Sequence, residues 1–294
     1  HNLKKAWKCL TAMPRLAKNL PCLFQAGASV GFAVNGILTE VEQVMGNPVH
    51  LATGIKVLKS EVDFSLPGPL PIDWHRIYSS ADTRDNPLLG QGWSTPLCLQ
   101  LKIETAQDGA RALKFVSYGG REIEFPDLPR AQGWYHEVEQ LSLYRTEGDR
   151  YFVSAADGTY YLFEEQANAN STQNVRIHDL ERIEDRHANY ISLRRQPGTG
   201  RLDECTDSTG RVLRFNYAPQ PGGKLQSIAV TKAAPGENLG SLVQYRYDAH
   251  GQLQHVIDRS QKLVRRFAYN AQRLMCMHAH ASGLESYYEW QQFE

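Results

Sequence analysis

The chain has 294 residues, of which 22% are charged, 41% hydrophobic and 10% aromatic, a composition typical of one large or two smaller globular domains. Its 32 basic and 32 acidic residues give a formal net charge of +0, which lacks the basic excess of a general nucleic-acid binder, so no nucleic-acid partner is expected. Five cysteines lie far apart without a C-x-x-C pair, and we interpret them as reduced thiols of a protein made in a cytosol.

The segment 1–45 differs from the rest of the chain. Its residues Trp7 and Leu10 follow helical spacing, and Pro14 and Pro21 interrupt that spacing because proline cannot continue a helix. We predict short helices that pack on the rest of the protein as a plug.

Two alternatives concern the uncharged run from Asn19 to Thr39. The run is long enough for a membrane span, but Gln25, Asn35 and other polar residues in it oppose burial in a bilayer. A basic amphipathic surface helix is the second alternative, although the prolines would divide it into short pieces. A third short helix is predicted after Asn35.

From residue 46 onward the pattern changes to short strands and tight turns, with apolar and polar residues in alternation. The predicted strands are 56–64, 72–78 and 97–103, with a rigid proline-rich turn at 67–71, a hairpin 113–118/122–125 around Gly119-Gly120 and a hairpin 151–154/160–163 around Asp157-Gly158. Long helical periods are absent after residue 45, which predicts an all-β body.

The last third of the chain repeats one motif. Residues 200–217 and 251–269 share Gly-x-Leu, an acidic turn and a strand that ends in Phe-x-Tyr, and related units begin near 178 and at 223. A short unit of this kind cannot bury its own apolar face, so the copies should add side by side into one sheet. We expect the glycine to permit the first turn and the aspartate to accept hydrogen bonds from its own following backbone in the second.

This Gly-x-Leu…Asp…Phe-x-Tyr pattern resembles the YD repeat, and a block upstream resembles the one that precedes YD repeats in Rhs proteins. The block consists of Gly46-Asn-Pro-Val49, Ala52-Thr-Gly54, Asp63-Phe-Ser-Leu-Pro-Gly-Pro-Leu-Pro71 and Trp74-x-Arg76-x-Tyr78-Ser-Ser80, and Gly90-x-Gly92-Trp93 fits its continuation. The resemblance covers residues 46–294. It implies a mostly β fold in which YD-repeat hairpins form a curved antiparallel sheet, part of a cocoon, after a short helical N-terminal segment. The implied domains are a plug at 1–45, an Rhs N-terminal β domain at 46–175 and a YD-repeat shell at 176–294.

The resemblance also implies a function. Rhs proteins are bacterial polymorphic toxins whose repeats enclose a C-terminal toxin, and many are type VI secretion effectors that cleave themselves. The implied partners are the enclosed toxin, a cleaved PAAR-type region on the type VI spike, a chaperone and an immunity protein, with synthesis in the bacterial cytoplasm and export into a target cell. The family's C-terminal Asp-Pro-x-Gly motif is absent, so we expect this chain to be the beginning of a shell, incomplete at its C terminus, and a fragment of a longer protein.

The sequence offers little chemistry beyond self-cleavage. It has no G-x-S-x-G, P-loop or Rossmann glycine pattern, so we predict no turnover enzyme and no cofactor. Self-cleavage needs a nucleophile and a base, and the candidates are Cys205, Cys276 and His278. We favour a buried structural role for each cysteine, and acids beside Cys205 should raise its thiol pKa. His278 and His280 share one face of a strand, but a third ligand is missing, so no metal site is expected.

The first residue, His1, has two interpretations. Because the Rhs resemblance implies cleavage between a PAAR-type region and the plug, His1 would be the terminus of the cleaved product. A cloning boundary explains it equally well.

The alternative function is a glycan-binding YD-repeat module, because aromatic side chains stack on sugar rings. The candidate aromatic residues are Trp74, Tyr78, Trp93, Trp134, Tyr135 and Tyr144. Aromatic residues at strand spacing more often pack in a core, so we rank this function below the shell.

Overall fold

The computed structural model describes residues 7–15, 55–84, 88–117, 120–165, 172, 174–220, 222–234, 236 and 239–292. Within these ranges the strands form one sheet of 18 strands and a second sheet of 3 strands. Every strand pairing described below is antiparallel. The mostly β, antiparallel fold predicted from the sequence is therefore confirmed.

The strands are short and follow one another closely along the chain. In order they are β1 Trp7–Arg15, β2 Val57–Leu66, β3 Ile72–Ser79, β4 Trp93–Ser94, β5 Gln100–Thr105, β6 Arg111–Val116, β7 Glu122–Phe125, β8 Gln132–His136, β9 Leu141–Arg145, β10 Tyr151–Ala155, β11 Thr159–Glu165, β12 Val175–Asp185, β13 Tyr190–Arg195, β14 Leu202–Asp207, β15 Val212–Tyr217, β16 Leu225–Lys232, β17 Gly240–Tyr247, β18 Leu253–Asp258, β19 Leu263–Tyr269, β20 Met275–His280 and β21 Glu285–Gln292. A turn of 3-10 helix, Pro96–Cys98, precedes β5.

The repeats build the sheet by simple addition. From β12 to β21 each strand pairs with the next one along the chain. Side chains alternate between the two faces of a strand, and in β15 Leu213 and Phe215 are buried while Val212 and Arg214 are partly exposed. This is the side-by-side arrangement that the repeated motif predicts.

The long strand β12 joins the repeats to the strands that precede them. Along one edge its first half pairs with β5, as at Ile177↔Lys102, and its second half with β13, as at Ile183↔Ile191. Its other edge pairs with β11, after which β10, β9 and β8 follow in turn. Strands β6 and β7 extend the β5 arm, so the sheet branches at β12.

Some predicted boundaries differ from the structure or fall outside the described residues. The strand predicted at 97–103 begins at Gln100, because Pro96 lacks a backbone donor and starts the 3-10 turn instead. The hairpins β6–β7 and β10–β11 are confirmed, although Gly119 lies outside the described residues.

The helix predicted around Trp7 and Leu10 is wrong for the part of the segment that the structure describes. Trp7–Arg15 forms strand β1, which pairs with β21 from Trp7↔Gln292 to Arg15↔Glu285. Helical spacing is a weak preference, and the edge of β21 offers backbone hydrogen bonds to an extended segment. The rest of 1–45, including the uncharged run and the third predicted helix, lies outside the described residues. Among those residues, none of the helical structure has the length and apolar character of a membrane-spanning helix.

The small sheet β2–β3–β4 packs against the repeat sheet. Its aromatic residues Trp74, Tyr78 and Trp93 are each only 1% exposed, and they join one continuous core with apolar residues of the repeats. Burial of these large side chains is the main stabilising contribution at this contact, since each removes roughly 150–250 Å² from water.

Candidate functional site between the small sheet and the repeat sheet

A chain of hydrogen bonds ties the small sheet to strand β17 of the repeats. The indole Nε1 of Trp74 donates to the hydroxyl of Tyr245 at 2.7 Å, and that hydroxyl donates to Oδ2 of Asp63 at 2.5 Å. Burial is the main cause of the raised pKa of Tyr245, and the negative charge of Asp63 raises it further. The phenol therefore stays protonated and serves both buried partners.

Asp63 also belongs to a buried ion-pair group. Its carboxylate accepts from Nε and Nη2 of Arg76, each at 2.8 Å from its nearer oxygen. Glu61 accepts a further bond from Nη2 of Arg76 at 3.2 Å and binds Arg265 of β19 through Nε at 2.9 Å and through Nη2. We refer to Glu61, Asp63, Arg76, Tyr245 and Arg265 as the Asp63 cluster.

The electrostatics of the Asp63 cluster favour a structural role. Burial alone would lower the pKa of Arg76, which is 1% exposed, but the charges of Asp63 and Glu61 outweigh burial and raise it. Each carboxylate is bound by a guanidinium group, Asp63 by that of Arg76 and Glu61 by that of Arg265. These bonds hold the small sheet in place.

A second contact joins the Gly90-x-Gly92-Trp93 motif to β19 and β20. Nε1 of Trp93 donates to the hydroxyl of Tyr269 at 2.8 Å, and the backbone N–H of Met275 donates to the hydroxyl of Tyr78 at 3.0 Å. Gly92 has a φ of +81°, and a Cβ at this position would lie 2.5 Å from the ring of Tyr78. The motif requires glycine at 92 for both its backbone conformation and its contact with the ring.

The proline-rich turn is bound by a repeat turn. Nη2 of Arg211 donates to the carbonyl oxygen of Pro67 at 2.8 Å, and Nη1 of Arg211 pairs with Asp207 at 2.6 Å. Both charged side chains are 1% exposed. The Asp of the repeat thus orients an arginine that recognises the upstream block.

The terminal tyrosine of each repeat closes its own hairpin. The hydroxyl groups donate to the carbonyl oxygen of the residue that opens the unit, in the pairs Tyr217→Leu202 at 2.8 Å, Tyr247→Leu225 at 2.6 Å and Tyr269→Leu253 at 2.8 Å. Two pairs that the sequence motif missed make the same bond with another donor, namely Arg195 Nη2→Leu180 at 3.3 Å and Trp290 Nε1→Met275 at 2.9 Å. A donor placed 15 residues after a buried apolar strand residue is the signal that would have found them.

The turns confirm the predicted role of aspartate and modify that of glycine. A side-chain oxygen accepts from the backbone N–H groups two and four residues later at Asp185, Asp207, Asp248, Asp258 and Asn270. The third residue after each has a positive φ, and it is glycine at 210 and 251 but Ala188, Gln261 and Arg273 in the other three. The side-chain hydrogen bonds therefore support this turn without glycine.

The three residues predicted for self-cleavage lie on two different strands of the large sheet. Cys205 lies on β14 and is fully buried, and burial first, then the charge of Asp207, raises its pKa to about 12. Cys276 and His278 lie two residues apart on β20, and burial raises the pKa of the half-buried Cys276. His1 lies outside the described residues.

His278 is held in a cationic environment. Its Nδ1 lies 3.0 Å from the hydroxyl oxygen of Tyr288, and its pKa is lowered to about 2 by burial and by the charges of Lys56, Arg265 and His280. The ring of His280 lies 6.2 Å from that of His278. Among the described residues no three His, Cys, Asp or Glu side chains gather as metal ligands.

The aromatic residues proposed for glycan binding divide into two groups. Trp74, Tyr78 and Trp93 are buried, whereas Trp134, Tyr135 and Tyr144 are 51%, 54% and 39% exposed. The ring of Tyr144 stacks on Phe152 at 4.7 Å on one side and covers Gly133 on the other, where a Cβ would lie 2.4 Å from the ring. The ring of Tyr144 is thus partly covered by Phe152 and lies over Gly133, which leaves less of it exposed than of Trp134 and Tyr135.

Comparison with known proteins agrees with the upstream block and the repeats. A family model described as a domain of unknown function, DUF6531, matches residues 46–125. The chain is 31% identical over 273 residues to the double-stranded DNA deaminase toxin A of Burkholderia cenocepacia, covering 92% of this chain and 18% of that protein. It is 29% identical over 296 residues to toxin protein Tse5 of Pseudomonas aeruginosa, covering 89% of this chain and 22% of that protein.

The chain belongs to the Rhs/YD-repeat toxin family. This Rhs chain spans about a fifth of the length of the curated relatives it matches, 18% and 22%. A solved complex of TcdB2, TccC3 and Cdc42 is similar in fold at 12% identity with a TM-score of 0.47, over 74% of this chain and 16% of that one.

Proposed function

We propose that this Rhs chain forms part of a shell that encloses and carries a C-terminal toxin. The observation that carries the proposal is the addition of ten consecutive repeat strands, β12 to β21, into one sheet whose hairpins are each closed by the same type of hydrogen bond. A sheet that grows by one hairpin per unit can be extended by further units, which is how a large enclosing surface can be built from small repeats. Because the relatives of this chain are toxins, we propose a toxin as the enclosed cargo.

The Asp63 cluster and the Trp93–Tyr269 contact support this function. They attach the small sheet to one face of β17 to β20 through buried charged groups and hydrogen bonds. A wall that protects a cargo must resist local opening, and buried contacts between distant segments raise the free energy of such opening. In the proposal, residues 1–45 form a plug, 46–175 an N-terminal β domain and 176–294 the YD-repeat wall.

The experiment uses the natural chain with its downstream region. Limited proteolysis is followed by mass spectrometry, with the downstream toxin expressed alone as the control. Protection of the toxin within the full chain, and its rapid digestion alone, is the expected result. Equal digestion rates in the two forms contradict enclosure.

We further propose that the protein is made in a bacterial cytoplasm and delivered into a target cell by a type VI spike bearing a PAAR-type region, with a chaperone and an immunity protein as further partners. In this scheme the bond before His1 is cut by the protein itself. The test is the intact mass and N-terminal sequence of a precursor expressed with its upstream region. A precursor that stays whole after purification contradicts self-cleavage.

The candidate residues for that cleavage are tested in the same precursor. Cys205→Ala, Cys276→Ala and His278→Ala are compared with Cys98→Ala as the matched control. We expect no more than one of the three to block cleavage, and Cys205→Ala to leave it intact because burial keeps that thiol protonated. Cleavage in all three variants would assign the reaction to other residues.

A further inference from the structure

Strand β8 is an outer strand of the large sheet. It pairs with β9 over five consecutive residues, from Gln132↔Arg145 to His136↔Leu141, and no strand pairs with its other edge among the residues that the structure describes. Four of its five residues are exposed, including Trp134 and Tyr135. An open edge of this kind presents unpaired backbone N–H and C=O groups to other strands.

The edge of β8 lacks the features that prevent other outer strands from pairing with a further strand. Strand β2 has two register shifts, and the short strand β7 exposes Glu122 and Glu124. By contrast, β8 has a continuous register and carries neither proline, lysine nor an acidic residue. Natural edges that must stay unpaired are blocked by such features, so β8 is suited to pairing.

A row of aromatic rings crosses the sheet and meets a gap at β8. Phe152 of β10 lies between Tyr160 of β11, at 6.4 Å between ring centroids, and Tyr144 of β9, at 4.7 Å. The next position in the row is Gly133, which is paired with Tyr144 and lies under its ring. The row therefore ends at the open edge with a residue that has no side chain.

We propose that β8 pairs with β8 of a second copy of this chain, antiparallel and centred on Trp134. In this register Gly133 faces Tyr135 of the partner subunit, whose ring would follow Tyr144 in the aromatic row, beyond the ring of Tyr144 that covers Gly133. The two Trp134 side chains lie directly opposite each other, where cross-strand aromatic pairs stabilise a sheet. The twofold axis passes between the two Trp134 residues and produces the contact of Gly133 with Tyr135 of the partner subunit twice, as an isologous dimer requires.

The charges at the ends of β8 fit the same arrangement. Arg130, which also pairs with Asp149 of its own chain, precedes the strand with its side chain 64% exposed, and the exposed Glu137 follows it. Antiparallel pairing about Trp134 brings the Arg130 end of one copy to the Glu137 end of the other. A parallel pairing would instead place like charges together, which disfavours it.

The paired edge is short, so the association should be weak and dependent on concentration. Sedimentation velocity of the 294-residue chain should show a monomer that shifts to twice the mass as the concentration rises through the order of ten micromolar. The double substitution Trp134→Lys/Tyr135→Lys places like charges across the axis and should abolish the shift. Val62→Lys, at a residue 57% exposed on the separate small sheet, is the control and should leave it unchanged.

A cross-link locates the interface independently of its strength. Residues directly opposite across an antiparallel pair have Cβ atoms about 4.5–5.5 Å apart, so Trp134→Cys should give a covalent dimer on oxidation at the concentration where wild type associates. Wild type and Val62→Cys report the background from the native cysteines. A monomer at every concentration overturns the proposal. The open edge of β8 would then pair with a segment of another chain or of a longer form of this one. A dimer that persists in Trp134→Lys/Tyr135→Lys, without cross-linking through position 134, also overturns it.

Discussion

The indole of Trp74 and the hydroxyl of Tyr245 form a buried hydrogen bond of 2.7 Å between residues 171 positions apart in the sequence. The same hydroxyl of Tyr245 donates a hydrogen bond to Oδ2 of Asp63 at 2.5 Å. One phenol therefore satisfies two buried polar groups. The contact joins the block upstream of the repeats to the repeats themselves.

Removing that hydroxyl should destabilise the protein measurably. Tyr245→Phe keeps the ring but leaves Trp74 Nε1 without its acceptor and deprives Asp63 of a donor, at an expected cost of about 1–3 kcal/mol in the free energy of unfolding. Urea denaturation followed by fluorescence measures it. Tyr190→Phe retains the ring under Arg182, 3.9 Å away, and should change stability by less than about 0.5 kcal/mol. Equal effects in the two variants would show that the Tyr245 hydroxyl contributes nothing.

Breaking the buried ion pair should cost more. Asp63→Asn leaves the guanidinium of Arg76 buried without its main counter-charge, and the expected loss is about 3–5 kcal/mol. The comparison is Glu285→Gln, which breaks an exposed pair with Arg266 and should cost no more than about 1 kcal/mol. Chemical denaturation of both variants measures the two losses of unfolding free energy. Similar losses would contradict the assignment of Asp63 to a buried cluster.

Two glycines with similar backbone angles separate steric from conformational cost. Gly92 and Gly109 have φ values of +81° and +85°, but a Cβ at 92 would lie 2.5 Å from Tyr78, whereas a Cβ at 109 meets nothing within 4 Å. Gly109→Ala should therefore cost about 1–2 kcal/mol for the left-handed backbone alone. Gly92→Ala should cost clearly more, because the buried Tyr78 must move. Thermal unfolding of both variants under identical conditions is the measurement, and equal midpoints would refute the contact.

The tyrosine hydroxyls that close the hairpins should contribute differently to stability, according to how many hydrogen bonds each hydroxyl makes. The Tyr217 hydroxyl donates to the carbonyl oxygen of Leu202, and Tyr217→Phe should cost about 1 kcal/mol. The Tyr269 hydroxyl donates to Leu253 and also accepts from Trp93, so Tyr269→Phe should cost more, about 2–3 kcal/mol. Hydrogen exchange of the β18–β19 and β14–β15 amides reports each hairpin separately. The reverse order of effects would contradict the closing-bond interpretation.

Stability should fall in acid because of His278. Its pKa is about 2 in the folded protein and near 6.5 when unfolded, so between these values the unfolded chain binds a proton that the folded one does not. Lowering the pH from 6.5 toward 2 therefore favours unfolding, by up to about 1.4 kcal/mol per pH unit for this group. The lowered pKa values of His75, His178 and His280, each due first to burial, act in the same direction.

A single substitution isolates the contribution of His278 to the pH dependence of stability. His278→Phe should reduce the slope of unfolding free energy against pH between 6.5 and 4.5, measured as urea midpoints at intervals of half a pH unit. His250→Gln, at an exposed turn position, should leave the slope as in wild type. An unchanged slope in His278→Phe would show that this imidazole is not buried in its neutral form.

From residue 46 onward, the pattern of residues alone was enough to predict most of the local structure. Alternation of apolar and polar residues predicts the strands, and acidic turn residues such as Asp207 predict where the hairpins reverse, because side-chain hydrogen bonds in a turn involve only neighbours in the chain. The resemblance of Asp63, Trp74 and Arg76 to the block before YD repeats indicated the family. None of these inferences required knowledge of which distant segments meet.

The tertiary structure decided how distant segments combine. It made Trp7–Arg15 a strand because an open sheet edge offers hydrogen bonds that helical spacing cannot reveal. It joined Trp74 to Tyr245, and it placed Arg195 and Trp290 in the role of the repeat tyrosine, since a closing bond requires only a donor of suitable reach. It also buried Cys205 on β14, a different strand from β20, which carries Cys276 and His278. Burial and long-range contact depend on the whole chain, and local sequence carries no record of them.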